Sequence, residues 1–330
     1  MSDGGISASI IIEWYNATRA TRSRAHQALT QLAAQIEEIV RDPARFSFSL
    51  TRPIELIFTY NSDVLQHDQV SKTVFGSLPT ERSFEVKLAP VPKGTYCLQK
   101  NHGSAMSSGQ IVIFLDSDAV PEPSWLAAIL TAFLDSRISA AIGNTYVDYS
   151  EGGAYSKALA LTWMFPLRSK ADGIERTQAF YANNCAFRRQ VFLDRPFEDV
   201  PGFIHAAAGQ FVSRLEHEGI VLWSIGNARA SHPPPNGLSH FVKRAVACGR
   251  ARALSPAASG TGTLCASFVS DLRTAAYHTK ILLRDGRTVR LTWWETPVAI
   301  VVSVSYDFLI FAGFVMSKLF RRQMINHFNL

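Results

Sequence analysis

Ile111-Val-Ile-Phe-Leu-Asp-Ser-Asp-Ala-Val-Pro-Glu-Pro-Ser-Trp125 is the stretch on which the reading of the fold turns. Its apolar opening, rich in β-branched residues, predicts a buried strand. Asp116 and Asp118 follow at the C-terminal end of that strand, where open α/β sheets bind their ligands. Residues two apart on a strand share a face, so the two carboxylates converge if the extended geometry persists. Converging carboxylates repel one another unless a cation joins them. Oxygen donors suit a hard divalent ion, Mg2+ or Mn2+, which also takes phosphate oxygens. Pro121 and Pro123 then open a helix with Trp125, Leu126, Ile129, Leu130 and Phe133 as its buried stripe. The competing reading, an Asp-Ser-Asp that only turns the chain or caps that helix, is disfavoured by this strand-then-helix setting.

Around this stretch, short apolar runs alternate with helix-like periodicity, the pattern of an α/β sheet. Ser9 to Trp14, Ile54 to Tyr60, Phe84 to Leu88 and Ala140 to Val147 predict further strands. Leu29, Leu32, Ala33, Ile36, Ile39 and Val40 mark one face of a helix. Arg214 to Gly219 reads as a helix end, followed by a strand from Ile220 to Ile225. Ser231-His-Pro-Pro-Pro-Asn-Gly237 reads as a stiff loop. From Pro297 to Ser317 the chain is apolar for long enough to cross a bilayer, broken by Asp307. Trp293 and Trp294 precede this run, and Lys318, Arg321 and Arg322 follow it, as in interfacial anchoring. A spanning helix, a surface-lying helix and a buried helix all fit the run.

The chain has 330 residues, 47% of them hydrophobic, enough for a large core. Its four cysteines, Cys97, Cys185, Cys248 and Cys265, are widely spaced and suggest neither a zinc site nor a disulfide framework. The first thirty residues lack a secretory pattern, so cytosolic residence of the catalytic part is expected. Between Arg244 and Arg290 basic residues far outnumber Asp271 and Asp285, which favours an anionic partner. Phospholipid is the expected one and nucleic acid is not, because a strongly apolar segment follows directly.

The segment Tyr96-Cys-Leu-Gln-Lys-Asn-His-Gly-Ser-Ala-Met-Ser-Ser-Gly109, leading straight into Asp116-Ser-Asp118, resembles the inverting family 2 glycosyltransferases. Ser9 to Asn16, Ile54 to Asp63 and Asn183-Asn-Cys-Ala-Phe-Arg-Arg189 extend the resemblance over about residues 7 to 250. It implies a GT-A Rossmann-like nucleotide-diphospho-sugar transferase fold over residues 1–250, with a basic, apolar, membrane-associating helical tail over residues 251–330. It also implies a nucleotide-diphosphate sugar as donor and Mn2+ or Mg2+ as cofactor, held by Asp116 and Asp118 and completed by His232. Glu13, Asn16, Asn61, Lys100, Ser117, Asn184 and Arg188 are the further residues expected around the nucleotide sugar. Arg189, Lys243 and Arg244 are additional candidate cations for the diphosphate. Arg19, Arg22 and Arg24 crowd a helix start and read as exposed.

The sequence departs from the family pattern in three places. Tyr60, Asn61 and Ser62 stand where acidic nucleoside contacts are usual, and Glu13 stands where proline is frequent. The two acidic positions that should supply the general base fall on Ala207 and Ala208. A base must reach the acceptor hydroxyl, and alanine offers none. Asp199, Glu198 and His205 are the candidates from the preceding loop. The expected activity is transfer of a sugar to a hydroxyl of a lipid-linked or polysaccharide acceptor, at the cytoplasmic face of the inner membrane. A non-catalytic nucleotide-sugar-binding scaffold is the first rival, suggested by the missing acidic pair. A nucleotidyltransferase is the second, disfavoured because the loop from Glu13 to Arg19 has no glycine to cradle a triphosphate.

Overall fold

The computed structural model describes residues 5–14, 22–150, 152–168, 171–199, 204–254 and 264–320, with the side chains of 22, 204–208, 254, 264 and 265 left aside. The main sheet contains β1 (Ala8–Glu13), β2 (Glu55–Asn61), β3 (Glu85–Val91), β4 (Ile111–Asp116), β5 (Val120–Pro121), β6 (Ala140–Val147), β7 (Ile174–Arg176), β8 (Asn184–Arg188) and β9 (Leu222–His232). Their order is β3-β2-β1-β4-β8-β6-β9-β5, with β7 also paired to β9. The first four of these, β3-β2-β1-β4, are parallel, and β8 runs antiparallel between β4 and β6. The helices are α1 (Arg22–Arg41), α2 (His67–Phe75), α3 (Tyr96–Met106), α4 (Trp125–Ala132), α5 (Gly153–Thr162), α6 (Arg189–Leu193), α7 (Ile204–His217), α8 (Gly237–Leu254), α9 (Leu264–Asp285) and α10 (Thr296–Leu319).

Each residue of β1 and β4 is buried, as central strands covered on both faces require. Helices α1 and α4 bury their predicted apolar stripes in one core with the sheet, except that Val40 is exposed. On α3, Gly103 lets the helix lie close to the sheet, since a Cβ there would stand 2.6 Å from Ile11 Cγ2. Helix α7 stops where its sequence says, with Gly219 in the left-handed region at φ 71°.

Two segments differ from the sequence reading. Pro121 does not open a helix but lies in the short strand β5, paired with Ala230 at the end of the sheet order, where a missing donor is tolerated. The last strand does not stop at Ile225 but continues to His232, and β5 pairs with this extension at Ala230 and Ser231, while β7 pairs with the predicted part.

By contact the chain divides into two compact units. The first, Met1–Thr145, Arg168–Asp199 and Ala208–His232, holds nearly all of the sheet. The second, Tyr146–Leu167, Val200–Ala207 and Pro233–Leu330, is helical, and the expected boundary at residue 250 falls inside α8. In the second unit the charge that interrupts the apolar run is turned inward: Asp307 is buried and stands 2.8 Å from His278 Nδ1.

At the N-terminal end of β2, buried Glu55 accepts hydrogen bonds from Ser9 Oγ, Lys87 Nζ and both N and Oγ of Ser108. Burial alone would raise its pKa, but these bonds outweigh burial and hold the carboxyl at about 2, against an ordinary value of 4.5. A lowered folded-state pKa stabilises above about pH 4.5, and that stabilisation drains as pH falls towards about 2. Glu55→Gln should cost about 1.5–3 kcal/mol at neutral pH. It should also flatten the loss of stability between these two pH values, as read from urea midpoints across the acid range.

Candidate metal and nucleotide site

Strand β4 delivers Asp116 to the C-terminal edge of the parallel strands, and register places Glu13 of β1 directly beside it. Both are buried, so two carboxylates share one low-dielectric strand end. Helix α3 supplies the counter-charge. Tyr96 and Lys100 stand four residues apart and share one face of that helix. Tyr96 Oη donates to Asp116 Oδ1 at 2.9 Å, and fully buried Lys100 Nζ donates to the same oxygen at 2.8 Å. The ammonium also lies 4.6 Å from the Tyr96 ring centroid and 5.4 Å from that of Phe114. Burial works against its charge, yet Asp116 and Glu13 more than offset this, and its pKa is raised. Burial, and then the charge of Asp116 and Glu13, pushes the Tyr96 phenol well above its usual value and keeps it a donor.

The extended geometry does not persist past Asp116. The amide of Ala119 donates to the Asp116 carbonyl at 3.0 Å, so a tight turn rather than strand alternation brings Asp118 round. That turn is fastened to β9 by Arg24, whose Nε donates to the Asp118 carbonyl at 2.8 Å. Arg24 Nη2 donates to Ser231 O and Oγ at 2.8 and 2.9 Å. Pairing of Val120 with Ser231 completes the clamp and sets His232 Nε2 3.6 Å from Asp118 Oδ1. Ligand atoms of Asp116, Asp118 and His232 lie within 4.8 Å of one another, and all three residues are buried. Two metal–ligand bonds together span about 4–5 Å, so this donor set fits a divalent ion that accepts oxygen and imidazole.

The other expected residues divide. Ser117 is buried in the turn, and its Oγ has no hydrogen-bond partner among the described residues. Asn61 ends β2 at the same edge, where its Oδ1 accepts from Asp63 N at 2.9 Å and forms a turn. Asn184 is buried one strand from β4, but its amide is taken up: Oδ1 accepts from Trp125 Nε1 at 2.9 Å and Nδ2 donates to Ala228 O at 3.1 Å. It reaches Ala228 across Gly143, where a Cβ would stand 2.4 Å from Nδ2. The structure does not bring Arg188 to this edge. Register pairs it with Ile111 at the opposite end of β4, and Nη2 donates to the carbonyls of Phe133 and Asp135. Arg189 lies beside it, with Nε on Ser107 Oγ at 3.1 Å. Asn16 and Arg19 lie outside the described residues, and Lys243 and Arg244 lie on α8 in the second unit.

Among the candidate bases, Glu198 is exposed and pairs with Arg214 at 3.1 Å. Asp199 accepts a hydrogen bond from Thr95 Oγ1, on the residue that caps α3 just before Tyr96. His205 lies in α7, with its side chain outside the description. Three contributors escaped the sequence reading. Arg24, read as exposed, is the clamp described above, and Tyr96 is an Asp116 partner. Asn183, beside Asn184, accepts from the Asp116 amide at 3.0 Å and buries an Nδ2 that has no hydrogen-bond partner. The i, i+4 spacing of Tyr96 and Lys100 was the one signal available for any of them.

Residues 81–195, from before β3 through α6, match the family model described as Glycosyl transferase family 2. A glucosyl-dolichyl phosphate glucuronosyltransferase of Haloferax volcanii is 24% identical over 98 residues, which cover 29% of this chain and 31% of that protein. The chain therefore matches less than a third of the length of that curated relative. A solved mannosyltransferase of Pyrobaculum calidifontis, described in complex with GDP-Man and Mn2+, shares the fold. Its TM-score is 0.52 at 15% identity, over 96% of this chain and 88% of its own.

Lys100→Met would take from buried Asp116 the ammonium that is paired with it and that lies near Glu13. A buried pair broken in this way costs about 3–5 kcal/mol. The denaturant midpoint should fall accordingly, and a change below about 1 kcal/mol would show that Asp116 does not need the ammonium.

Proposed function

We propose, for a glycosyltransferase of GT-A fold whose family 2 segment lies over residues 81–195, a metal-dependent transfer from a nucleotide-diphosphate sugar to an acceptor hydroxyl. The observation that carries this reading is the convergence of Asp116, Asp118 and His232 at the C-terminal edge of the sheet. These three residues would hold the ion, Mn2+ or Mg2+. When bound, the ion supplies positive charge to the diphosphate that departs as the glycosidic bond breaks. Lys100 and Tyr96 fix the Asp116 carboxylate, so its orientation is set before any ligand arrives. Arg24 fixes the Asp118 turn against the strand of His232. Asp199 is the first candidate for the base, because it is a carboxylate beside the start of α3 and Glu198 is already engaged by Arg214.

The acceptor is read as a lipid-linked or polysaccharide hydroxyl at the cytoplasmic face of a membrane. Two things support the lipid-linked, membrane part of this reading: the Haloferax relative is a glucosyl-dolichyl phosphate glucuronosyltransferase, and helix α10 is long and apolar. Membrane association would hold an amphiphilic acceptor at high local concentration. The solved mannosyltransferase carries GDP-Man and Mn2+, so Mn2+ with a guanosine or uridine diphosphate sugar is the first combination to test.

A panel of nucleotide sugars with and without Mn2+ should give metal-dependent thermal stabilisation for the true donor, through mass action. Asp118→Asn and His232→Ala should each weaken Mn2+ about 10–100-fold in the same titration. An unaltered titration in both variants would remove them from the site. Asp199→Ala should leave donor stabilisation intact and cut transfer by about a hundredfold or more. A full transfer rate would dismiss Asp199, and donor binding with no transfer in the parent chain would favour the scaffold reading.

A further inference from the structure

The exposed face of α9 and α10 is built unlike the surface of a water-soluble helical unit. On α10, Val298, Val301, Phe308 and Leu319 are all more than half exposed, and they lie on one side of the helix. On α9, Leu272 and Leu283 are 60% and 65% exposed. The two helices are in contact through the rings of Phe268 and Phe311, whose centroids are 5.3 Å apart, and through His278 and Asp307. Directly beside the apolar stripe of α9 runs a cationic one. Arg273, Lys280 and Arg284 recur at helical spacing, Arg287 continues the stripe just past the helix end, and each is exposed, with Arg284 paired to Asp285 at 2.7 Å. From residue 273 to residue 290 the chain carries five Lys and Arg side chains and one acid, Asp285. Trp293, 81% exposed, and Trp294 stand between the two helices.

Helix α10 has the length and mean hydropathy of a membrane span, 24 residues and 2.2. Its packing speaks against that role. It is fastened to α8 backbone to backbone: a Cβ on Gly249 would stand 1.9 Å from Ile310 O, and one on Gly313 would stand 2.4 Å from Val246 O. Helix α8 carries Lys243, Arg244, Arg250 and Arg252. To cross a bilayer, α10 would have to leave α8 or draw these cations into hydrocarbon, at a cost of about 2.5–3.5 kcal/mol for each one at the centre. It would also have to carry Asp307 with it, or give up the buried pairing with His278.

We propose that α9 and α10 lie in the plane of a bilayer rich in anionic lipid, with their shared apolar face in the acyl boundary and the α9 cations among the headgroups. The occupant is identified by charge complementarity: a neutral apolar partner would leave the cation stripe unanswered, and anionic headgroups beside acyl chains answer both stripes at once. This deepens the membrane-associating part of the proposed function and rests on that part; it is independent of the metal site.

The test is flotation of the full chain with vesicles, in the absence of metal and nucleotide sugar, so that its failure leaves the donor reading standing. At roughly 0.1 M salt, binding to phosphatidylcholine vesicles with about 30% phosphatidylglycerol should exceed binding to phosphatidylcholine alone by at least about tenfold. Raising the salt to roughly 0.5 M should weaken it. The triple variant Arg273→Glu, Lys280→Glu, Arg287→Glu should lose at least about tenfold, and Val301→Ser with Phe308→Ser should lose a similar amount. All five side chains are exposed, so an unchanged thermal midpoint is expected and shows that the variants fold; the parent chain's salt and lipid dependence tests the proposal without them. Alkaline carbonate should strip the chain from the vesicles. Equal binding to neutral and anionic vesicles, retention through carbonate, or no binding to either would overturn the proposal.

Discussion

A buried ammonium on a buried carboxylate, Lys100 on Asp116, is the constraint from which the rest of the site follows. Parallel pairing of β1 with β4 forces Glu13 and Asp116 to end side by side, and the turn after β4 adds Asp118 within a few ångströms. Such crowding inside a protein is tolerable only if positive charge is supplied from a fixed direction. The helix after β3 supplies it from behind, through a lysine that has no exposure to solvent. With one oxygen of Asp116 committed to Lys100, the carboxylate is held in place beside Asp118 and His232. Two carboxylates and an imidazole at this spacing form a donor set that suits a divalent ion.

How much of this the sequence disclosed depends on how local each part is. The strand from Ile111, the aspartate at 116 that ends it and the helix stripe from Trp125 are decided by residues in one short window and stand where that window places them, whereas Asp118 reaches Asp116 through a turn and not through strand alternation. The helix-end glycine at 219 is equally local. His232 was found as a residue, but its approach to Asp118 depends on β5 pairing with a strand more than a hundred residues later, which no spacing rule reports. Arg24 is the sharper example. From sequence, three arginines at a helix start look like a solvated cluster; the structure shows one of them bonding two backbone carbonyls, one in the turn after β4 and one on β9. Arg188 fails for the opposite reason. A five-residue antiparallel strand carries Asn184 and Arg188 to opposite ends, so one residue cannot share an edge with the other however close they stand in the chain.

The helical unit shows how misleading composition is when burial is unknown. An apolar run of spanning length with one acid in it reads as an imperfect transmembrane helix. Burial reverses the meaning of its parts: the acid lies on the protected side with a histidine, glycine contacts hold the helix to a cationic neighbour, and the apolar residues that remain face outward. The same residues that weaken the case for crossing a membrane therefore strengthen the case for resting on one.

These two halves of the chain carry different kinds of positional precision. Ions and diphosphates are held by a few donors whose misplacement by an ångström matters, and such donors belong on strands and on helix faces locked by burial, as Asp116, Lys100 and Tyr96 are. A membrane surface makes no such demand, because apolar area and net charge act over a whole face and tolerate sliding and rotation. The base for the acceptor hydroxyl falls between the two. On the proposed reading it must sit within hydrogen-bond reach of a group carried by a substrate rather than by the protein, and the alanines at 207 and 208 have no group that could take the proton. Asp199, the base proposed above, has its carboxylate tied by Thr95 to the helix that also orders Asp116. That tie gives Asp199 the same support as the Asp116 edge, which a loop residue needs if it is to act at a fixed distance from an acceptor hydroxyl.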